Sequence, residues 1–210
     1  MRRVLGKTLI TLFILSLILP VAGAWAGPPT DTVKGVVDEV IRLLKDPALK
    51  APAQRKQRRQ LIKQAIDRHF DYEEMAKRSL GATWGSLSRS QRQEFVSLFA
   101  ELLEASYADK IEKYHDEKVA YTGESQEADY AEVRTQLVRK NDKIPMNYRM
   151  LDKSKWMVYD VVIEGVSLVN NYRSQFGRII RESGYQGLLK RLRTKVTELQ
   201  KTDKLKDKDL

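Results

Sequence analysis

The sequence predicts an α+β domain, in which a block of helices is followed by an antiparallel sheet and a closing helix. Up to about residue 115, apolar residues recur every three or four positions, which is the period of an amphipathic helix. Between residues 118 and 165, apolar and polar residues alternate, as in half-buried strands. From Val166 the helical spacing returns, and Gly184 is expected to break the closing helix. Helices and strands in separate blocks favour α+β over α/β.

The first 26 residues predict a cleaved signal peptide. Arg2, Arg3 and Lys7 precede an uncharged apolar run, 8–19, and Ala24-Trp25-Ala26 supplies the small residues that signal peptidase requires. The run is shorter than the roughly 20 residues that a membrane-spanning helix needs, with a retained N-terminal anchor as the alternative. We therefore expect a periplasmic protein of a Gram-negative bacterium. The chain has no cysteine, so the exported domain must be stable without disulfides.

The composition is that of one domain with a core of its own. The chain has 210 residues, 42% of them apolar, and a net charge of +10. We expect a single domain over 27–199, with helices in 30–115, the sheet in 118–165 and C-terminal helices in 166–199, followed by a disordered charged tail, 200–210. Since export removes intracellular nucleic acid as a partner, the positive charge indicates anionic lipid surfaces instead.

Three local signals place the predicted helices. Thr30 can cap the first helix, and Ser88 with Gln91 forms a capping box at the start of a long helix. The basic run 55–59 opens the second helix. We interpret this run as a solvated face, with contact to a lipid surface as the alternative.

Four antiparallel strands are predicted, and the last three form a meander. The four cover residues 119–121, 131–137, 144–150 and 156–165, and short polar turns join the last three. Methionines and tyrosines are concentrated on one predicted face, which we expect to contain Met146, Tyr148, Met150, Met157, Tyr159, Val161 and Ile163. Both residue types tolerate a fluid apolar ligand, although an ordinary core covered by helices has the same pattern.

Catalytic motifs are lacking in the sequence. There is no glycine-rich phosphate loop or nucleophile-base pair, and His69 and His115 have no further ligands at metal-binding spacing. Asp160 and Glu164 would lie about 13 Å apart on a strand, which is too far for joint acid-base catalysis. We predict no enzyme, no metal and no cofactor. An isomerase or dehydratase using Asp160 is the alternative, and an interaction module or chaperone is another.

Two stretches resemble the periplasmic phospholipid-binding proteins of the Mla (maintenance of lipid asymmetry) system, the MlaC-like or toluene-tolerance family. The resemblance is carried by Trp156, Tyr159-Asp160, Glu164-Gly165-Val166-Ser167 and, upstream, by 88–92, Phe95, Phe99, Tyr107 and Tyr114-His115. It extends from the second helix to the helix around Leu192. A related group associated with hopanoid lipids has the same pattern, so hopanoid-related cargo is the alternative.

The resemblance implies a fold and a function. The fold would be a helical subdomain on a curved sheet of the nuclear-transport-factor-2 type (NTF2-like), with an apolar cavity between them. The protein would be a monomeric carrier that moves phospholipid between an outer-membrane lipoprotein and porin complex and an inner-membrane ABC transporter with its substrate-binding domain. This traffic would maintain outer-membrane lipid asymmetry. The phospholipid would be cargo rather than a cofactor.

Our assignment of the cavity follows from the patterns and from this implied fold. Burial of two long acyl chains is worth on the order of 20 kcal/mol relative to water, so the walls must be apolar and deformable. We expect the sheet wall to contain Val133, Leu137, Met146, Tyr148, Met150, Met157, Tyr159, Val161 and Ile163. We expect the helical wall to contain Phe99, Leu103, Val169, Tyr172 and Phe176.

Overall fold

The computed structural model describes residues 27–114 and 116–206. The predicted signal peptide, His115 and the last four residues of the predicted tail lie outside the described residues. Within them, helices and an antiparallel sheet occur in the predicted order, which confirms the α+β fold class.

The element bounds are as follows. The helices are α1 (Pro28–Lys45), α2 (Arg55–Asp67), α3 (Tyr72–Leu80), α4 (Thr83–Ser86), α5 (Arg89–Glu112) and α6 (Leu168–Lys206), with short 3-10 turns at Pro47–Leu49 and Pro52–Gln54. The strands are β1 (Lys118–Glu127), β2 (Tyr130–Val138), β3 (Lys143–Asp152), β4 (Trp156–Ile163) and β5 (Val166–Ser167). They are hydrogen-bonded in sequence order as an antiparallel meander.

The fifth strand corrects the predicted count of four. Ile163 pairs with Val166 across a two-residue turn made by Glu164 and Gly165. Both turn residues have positive φ, 51° and 81°, as a type I′ hairpin requires. The chain therefore reverses direction after β4, and the closing helix starts at Leu168 instead of Val166.

A β-bulge in β4 corrects the predicted face of this strand. Asp160 pairs with Arg149 and Val158 pairs with Met150, so Tyr159 is an extra residue between them. An extra residue reverses the inward and outward alternation on its two sides. Val161 and Ile163 therefore do not share a face with Met157. The prediction that Met157, Tyr159, Val161 and Ile163 lie on one face is wrong.

Helix α1 covers one face of the sheet, which we call the α1 face. Val33 of α1 packs with buried residues of three strands to form the sheet cluster, which also contains Ala131, Val133, Met150, Trp156, Val158 and Val161. Glu124 of β1 accepts hydrogen bonds from the Thr30 backbone NH at 2.8 Å and the Thr30 hydroxyl at 2.6 Å. The carboxylate thereby holds the first turn of α1 on the sheet. Thr30 lies inside the helix and is not its N-cap, which is Gly27.

A second core, the helical cluster, lies among α3, α4, α5 and α6. The ring of Phe176 packs edge-on against Phe95 and Phe99, with centroids 5.7 and 5.6 Å away. The predicted capping box at Ser88 and Gln91 is present at the start of α5. Gly184 interrupts α6, as predicted, with φ of 69°.

The three arginines of the basic run 55–59 do not form a solvated face, contrary to the prediction, whereas Lys56 is exposed. The side chains of Arg55, Arg58 and Arg59 are only 11% to 17% exposed, and each donates hydrogen bonds to Glu112 at the end of α5. Arg55 also donates to Asp203 at 3.0 Å. Asp203 lies in the predicted disordered tail, but α6 continues to Lys206, so the first part of that tail is helical.

Candidate functional site

The carboxylate of Asp160 holds the start of α6. It is 2% exposed and accepts hydrogen bonds from the Ser167 hydroxyl at 2.6 Å and the Val169 backbone NH at 3.0 Å. The Ser167 hydroxyl in turn accepts from the Asn170 backbone NH at 3.0 Å. Arg149 lies against the same carboxylate at 3.3 Å. These contacts satisfy the free NH groups at a helix N-terminus, which is a structural role.

The apolar surface of the α1 face is arranged in cross-strand rows. In one row, Tyr121 of β1 is followed by Thr135, Met146 and Ile163 of β2, β3 and β4. The next row towards the β2–β3 turn contains Val119, Leu137 and Ile144. We call these two rows the open rows, because every member except Thr135 is half-buried.

Burial increases from the open rows towards the sheet cluster. The neighbouring rows contain Val133, Met150 and Val158, which are fully or almost fully buried. Val33 of α1 is also buried there, whereas Val37, one helical turn further along, is half-buried. The α1 face is therefore a continuous apolar surface that is closed at one end and partly accessible at the other.

Two tyrosines lie on this surface in surroundings of low polarity. Burial raises the pKa of Tyr148 to about 12, although its side chain is half-buried rather than fully shielded. Burial, with smaller contributions from Tyr148 and Asp38, also raises the pKa of Tyr121. The Tyr121 hydroxyl oxygen is buried and has no hydrogen-bond partner among the described residues. A buried polar atom without a partner is uncommon in folded proteins.

The structure divides the predicted binding residues between two places. Seven share the α1 face, namely Val133, Leu137, Met146, Tyr148, Met150, Val161 and Ile163. Six belong to the helical cluster or pack against it, namely Phe99, Leu103, Tyr159, Val169, Tyr172 and Phe176. Met157 pairs with Leu151 on the opposite face. Phe70 packs against both the sheet cluster and the helical cluster, so the two cores meet there.

Sequence reasoning missed four half-buried residues that pack against the sheet cluster. They are Val37 of α1, Phe70, Tyr121 of β1 and Leu168 at the start of α6. Val37 and Tyr121 were recognisable as members of an apolar stripe and an alternating strand. Neither pattern indicates which side of the sheet α1 covers.

A surface pocket of about 380 Å³ lies elsewhere, between α1 and α2. Its charged and amide side chains include Glu39, Arg42, Gln57, Gln64 and Arg68. The described part of the chain contains no group of three or more histidine, aspartate or glutamate side chains that could hold a metal ion. None of the helices in that part is both long enough and apolar enough to cross a membrane.

The fold and this site define a mixed helix and antiparallel-sheet domain whose candidate binding surface is apolar. The family model described as "MlaC protein" matches residues 34–194. The chain therefore belongs to the MlaC family, which confirms the resemblance seen in the sequence.

Two relatives illustrate this membership. The chain is 24% identical over 147 residues to the intermembrane phospholipid transport system binding protein MlaC of Haemophilus influenzae, covering 67% of this chain and 69% of that protein. It is also similar to a phospholipid-binding protein from Ralstonia solanacearum, solved in complex with a phospholipid at 1.53 Å resolution. That match has a TM-score of 0.74 and 28% identity, and it covers 82% of this chain and 99% of the Ralstonia chain.

Proposed function

We propose that this protein is a periplasmic phospholipid carrier that holds the acyl chains of its cargo against the α1 face. The observation that carries the proposal is the apolar surface of the open rows, which leads into the buried sheet cluster. The similarity to a protein solved with a bound phospholipid, over most of both chains, supports this assignment.

The physical chemistry of a carrier fits such a surface. Each acyl methylene removed from water contributes about 0.8 kcal/mol, and a bilayer offers nearly the same gain. A carrier must therefore match the bilayer without exceeding it by much, which favours apolar and adaptable contacts. Met146 and Ile163 supply such contacts in the open rows, and methionine adapts to ligands of variable shape. The headgroup would stay in water at the end of the sheet near the β2–β3 turn.

The proposed route runs between an outer-membrane lipoprotein and porin complex and an inner-membrane ABC transporter. Membership of the MlaC family supports this route, and so does the relative named for intermembrane phospholipid transport. The protein would act as a monomer and would help to maintain outer-membrane asymmetry. Phe99, Leu103, Val169 and Phe176 are buried in the helical cluster, so we assign the lipid contacts to the sheet residues instead.

Two matched pairs of substitutions test the proposed site. Met146 and Ile163 are cross-strand partners on the α1 face, and Leu151 and Met157 are cross-strand partners on the opposite face. All four are half-buried. Changing either pair to glutamate introduces the same charge into the same two strands. Only the first pair would bring carboxylates into the acyl-chain site, where burial of an unpaired charge is strongly unfavourable.

The measurement is the lipid content of protein purified from the periplasm, by organic extraction and mass spectrometry. We expect a phospholipid in wild type and in the Leu151→Glu, Met157→Glu variant, and a decrease of about tenfold or more in the Met146→Glu, Ile163→Glu variant. Circular dichroism confirms that each variant is folded. Wild type without lipid would contradict the proposal, and equal losses in both variants would contradict the choice of face. The same extract identifies hopanoid-related cargo if that is what the protein carries.

A further inference from the structure

The hydroxyl of Tyr121 on the α1 face is unpaired within the part of the chain that the structure describes. Its oxygen is buried and has no hydrogen-bond partner among the described residues, although the ring packs against the sheet cluster. Buried hydroxyls in folded proteins nearly always have a partner, because a lost hydrogen bond to water is otherwise not replaced. Phenylalanine would fill the same place without this cost. The unpaired hydroxyl is therefore a candidate donor for a ligand.

The neighbours of Tyr121 show what kind of partner is missing. In the same row, the Thr135 hydroxyl donates to the Met146 carbonyl at 2.6 Å, so its proton is already engaged. Met146 and Ile163 complete the row with apolar side chains. Tyr148 and Asp38 also lie near the Tyr121 hydroxyl, although neither is hydrogen-bonded to it. The remaining neighbours in the row offer apolar contact. A ligand that matches this surface is apolar over most of its length and has one acceptor where its chain passes Tyr121.

We propose that Tyr121 donates a hydrogen bond to an ester carbonyl of the bound lipid and thereby selects acyl esters over lipids that lack a carbonyl there. This inference rests on the proposed carrier function and specifies its substrate class. A carbonyl next to a long alkyl chain has the required combination of one acceptor and an extended apolar part. A site with an unpaired buried donor discriminates against ligands that leave the donor unpaired.

The position of Tyr121 is consistent with this role. The tyrosine lies in the open rows, between the accessible end of the α1 face and the buried sheet cluster. An ester lies at the corresponding place in a lipid, between the headgroup in water and the buried alkyl chain. The acyl chain would then continue along Val133 and Tyr148 towards the sheet cluster.

A competition between two lipids tests the inference. The full-length exported protein, stripped of its own lipid, is offered equal amounts of a diacyl phosphatidylglycerol and of its dialkyl ether analogue with the same headgroup and chain lengths. The bound lipids are extracted and their ratio is measured by mass spectrometry. We expect wild type to prefer the ester about tenfold, the effect of one neutral hydrogen bond in a partly buried site. Tyr121→Phe should lose this preference and bind the two lipids equally.

The control is Tyr159→Phe, which removes the hydroxyl of a half-buried tyrosine in contact with Arg78 and the helical cluster. It should keep the preference of wild type. A second measurement needs no variant. In the infrared spectrum, the ester carbonyl band of lipid bound to wild type should lie at lower frequency than that of the same lipid in apolar solvent. An unshifted band, or equal binding of both lipids by wild type, overturns the inference and leaves the carrier function standing. If wild type binds neither lipid, the carrier function itself is wrong.

Discussion

Glu112 is the residue whose replacement should destabilise the helical half most clearly. Its carboxylate accepts hydrogen bonds from Arg55 at 3.1 Å, from Arg58 at 3.0 Å and from both Nε and Nη2 of Arg59 at 2.9 and 2.7 Å. The side chain is 10% exposed. These contacts tie the start of α2 to the end of α5. Glu112→Gln keeps the shape of the side chain and removes its charge.

The magnitude follows from the burial and the number of partners. One hydrogen bond to a charged group contributes about 1.5–3 kcal/mol, and removing one partner of a buried ion pair costs about 3–5 kcal/mol. Asp109 and Asp203 also form ion pairs with Arg59, so part of the positive charge stays paired in the Glu112→Gln variant. We therefore expect Glu112→Gln to lower the free energy of unfolding by about 2–3 kcal/mol.

The assay is urea unfolding followed by circular dichroism, in which the midpoint should fall while the slope stays constant. The matched control is Glu39→Gln. Glu39 also pairs with an arginine, Arg42, through two bonds of 2.8 Å, but the two side chains are 35% and 60% exposed. An exposed pair contributes about 1 kcal/mol or less. An equal decrease in the free energy of unfolding in the two variants would refute the reasoning that burial makes the Glu112 contacts strong.

The same cluster predicts a dependence on pH. Burial alone would raise the pKa of the Glu112 carboxyl, but hydrogen bonds from Arg59 and Arg58 outweigh it and lower the pKa below its ordinary value of 4.5. Because the pKa is lower in the folded than in the unfolded state, the stabilisation is complete well above pH 4.5. It is lost as the pH falls from there through the folded-state pKa. The difference between wild type and Glu112→Gln should shrink over that interval, and a constant difference would contradict this account.

Two further substitutions test the turn and helix start after β4, again by urea unfolding. Asp160→Asn should lower the free energy of unfolding by about 2 kcal/mol, because it weakens the hydrogen bonds to Ser167 and Val169, while lipid content per folded molecule stays unchanged. A folded Asp160→Asn protein without lipid would show that Asp160 acts in the site. Glu164→Asn should raise the free energy of unfolding by about 0.5 kcal/mol, since asparagine followed by glycine suits the positive φ of both turn residues. A loss of stability in that variant would contradict the assigned turn geometry.

The helices and the fold class were predictable because their signals are local. The capping box at Ser88 and Gln91 and the break at Gly184 depend on residues close in sequence, and the structure has both. The alternation in β2 and β3 also placed Val133, Leu137, Met146 and Tyr148 on one face. In a strand without a bulge, the period of two is enough to assign each residue to a face of the sheet.

The predictions that the structure contradicts were wrong for a different reason, because they depend on contacts distant in sequence. The bulge at Tyr159 arises from the register with β3, and no residue of β4 alone reveals it. The basic run 55–59 looks like any solvated face until Glu112 and Asp203 are brought against it from other helices. Partners that lie 50 or more residues away cannot be read from a local pattern.

The sequence by itself determined the order of helices and strands, the family, and an apolar face rich in methionine and tyrosine, because periodicity and motif spacing are properties of the chain. The tertiary structure alone decided which residues that face contains. The register of β4 removed Met157 from it, and the packing of α1 on the sheet added Val37 and Tyr121. A one-residue change of register exchanges the two faces of a strand. The sequence could therefore predict that an apolar binding surface exists, but not which residues belong to it.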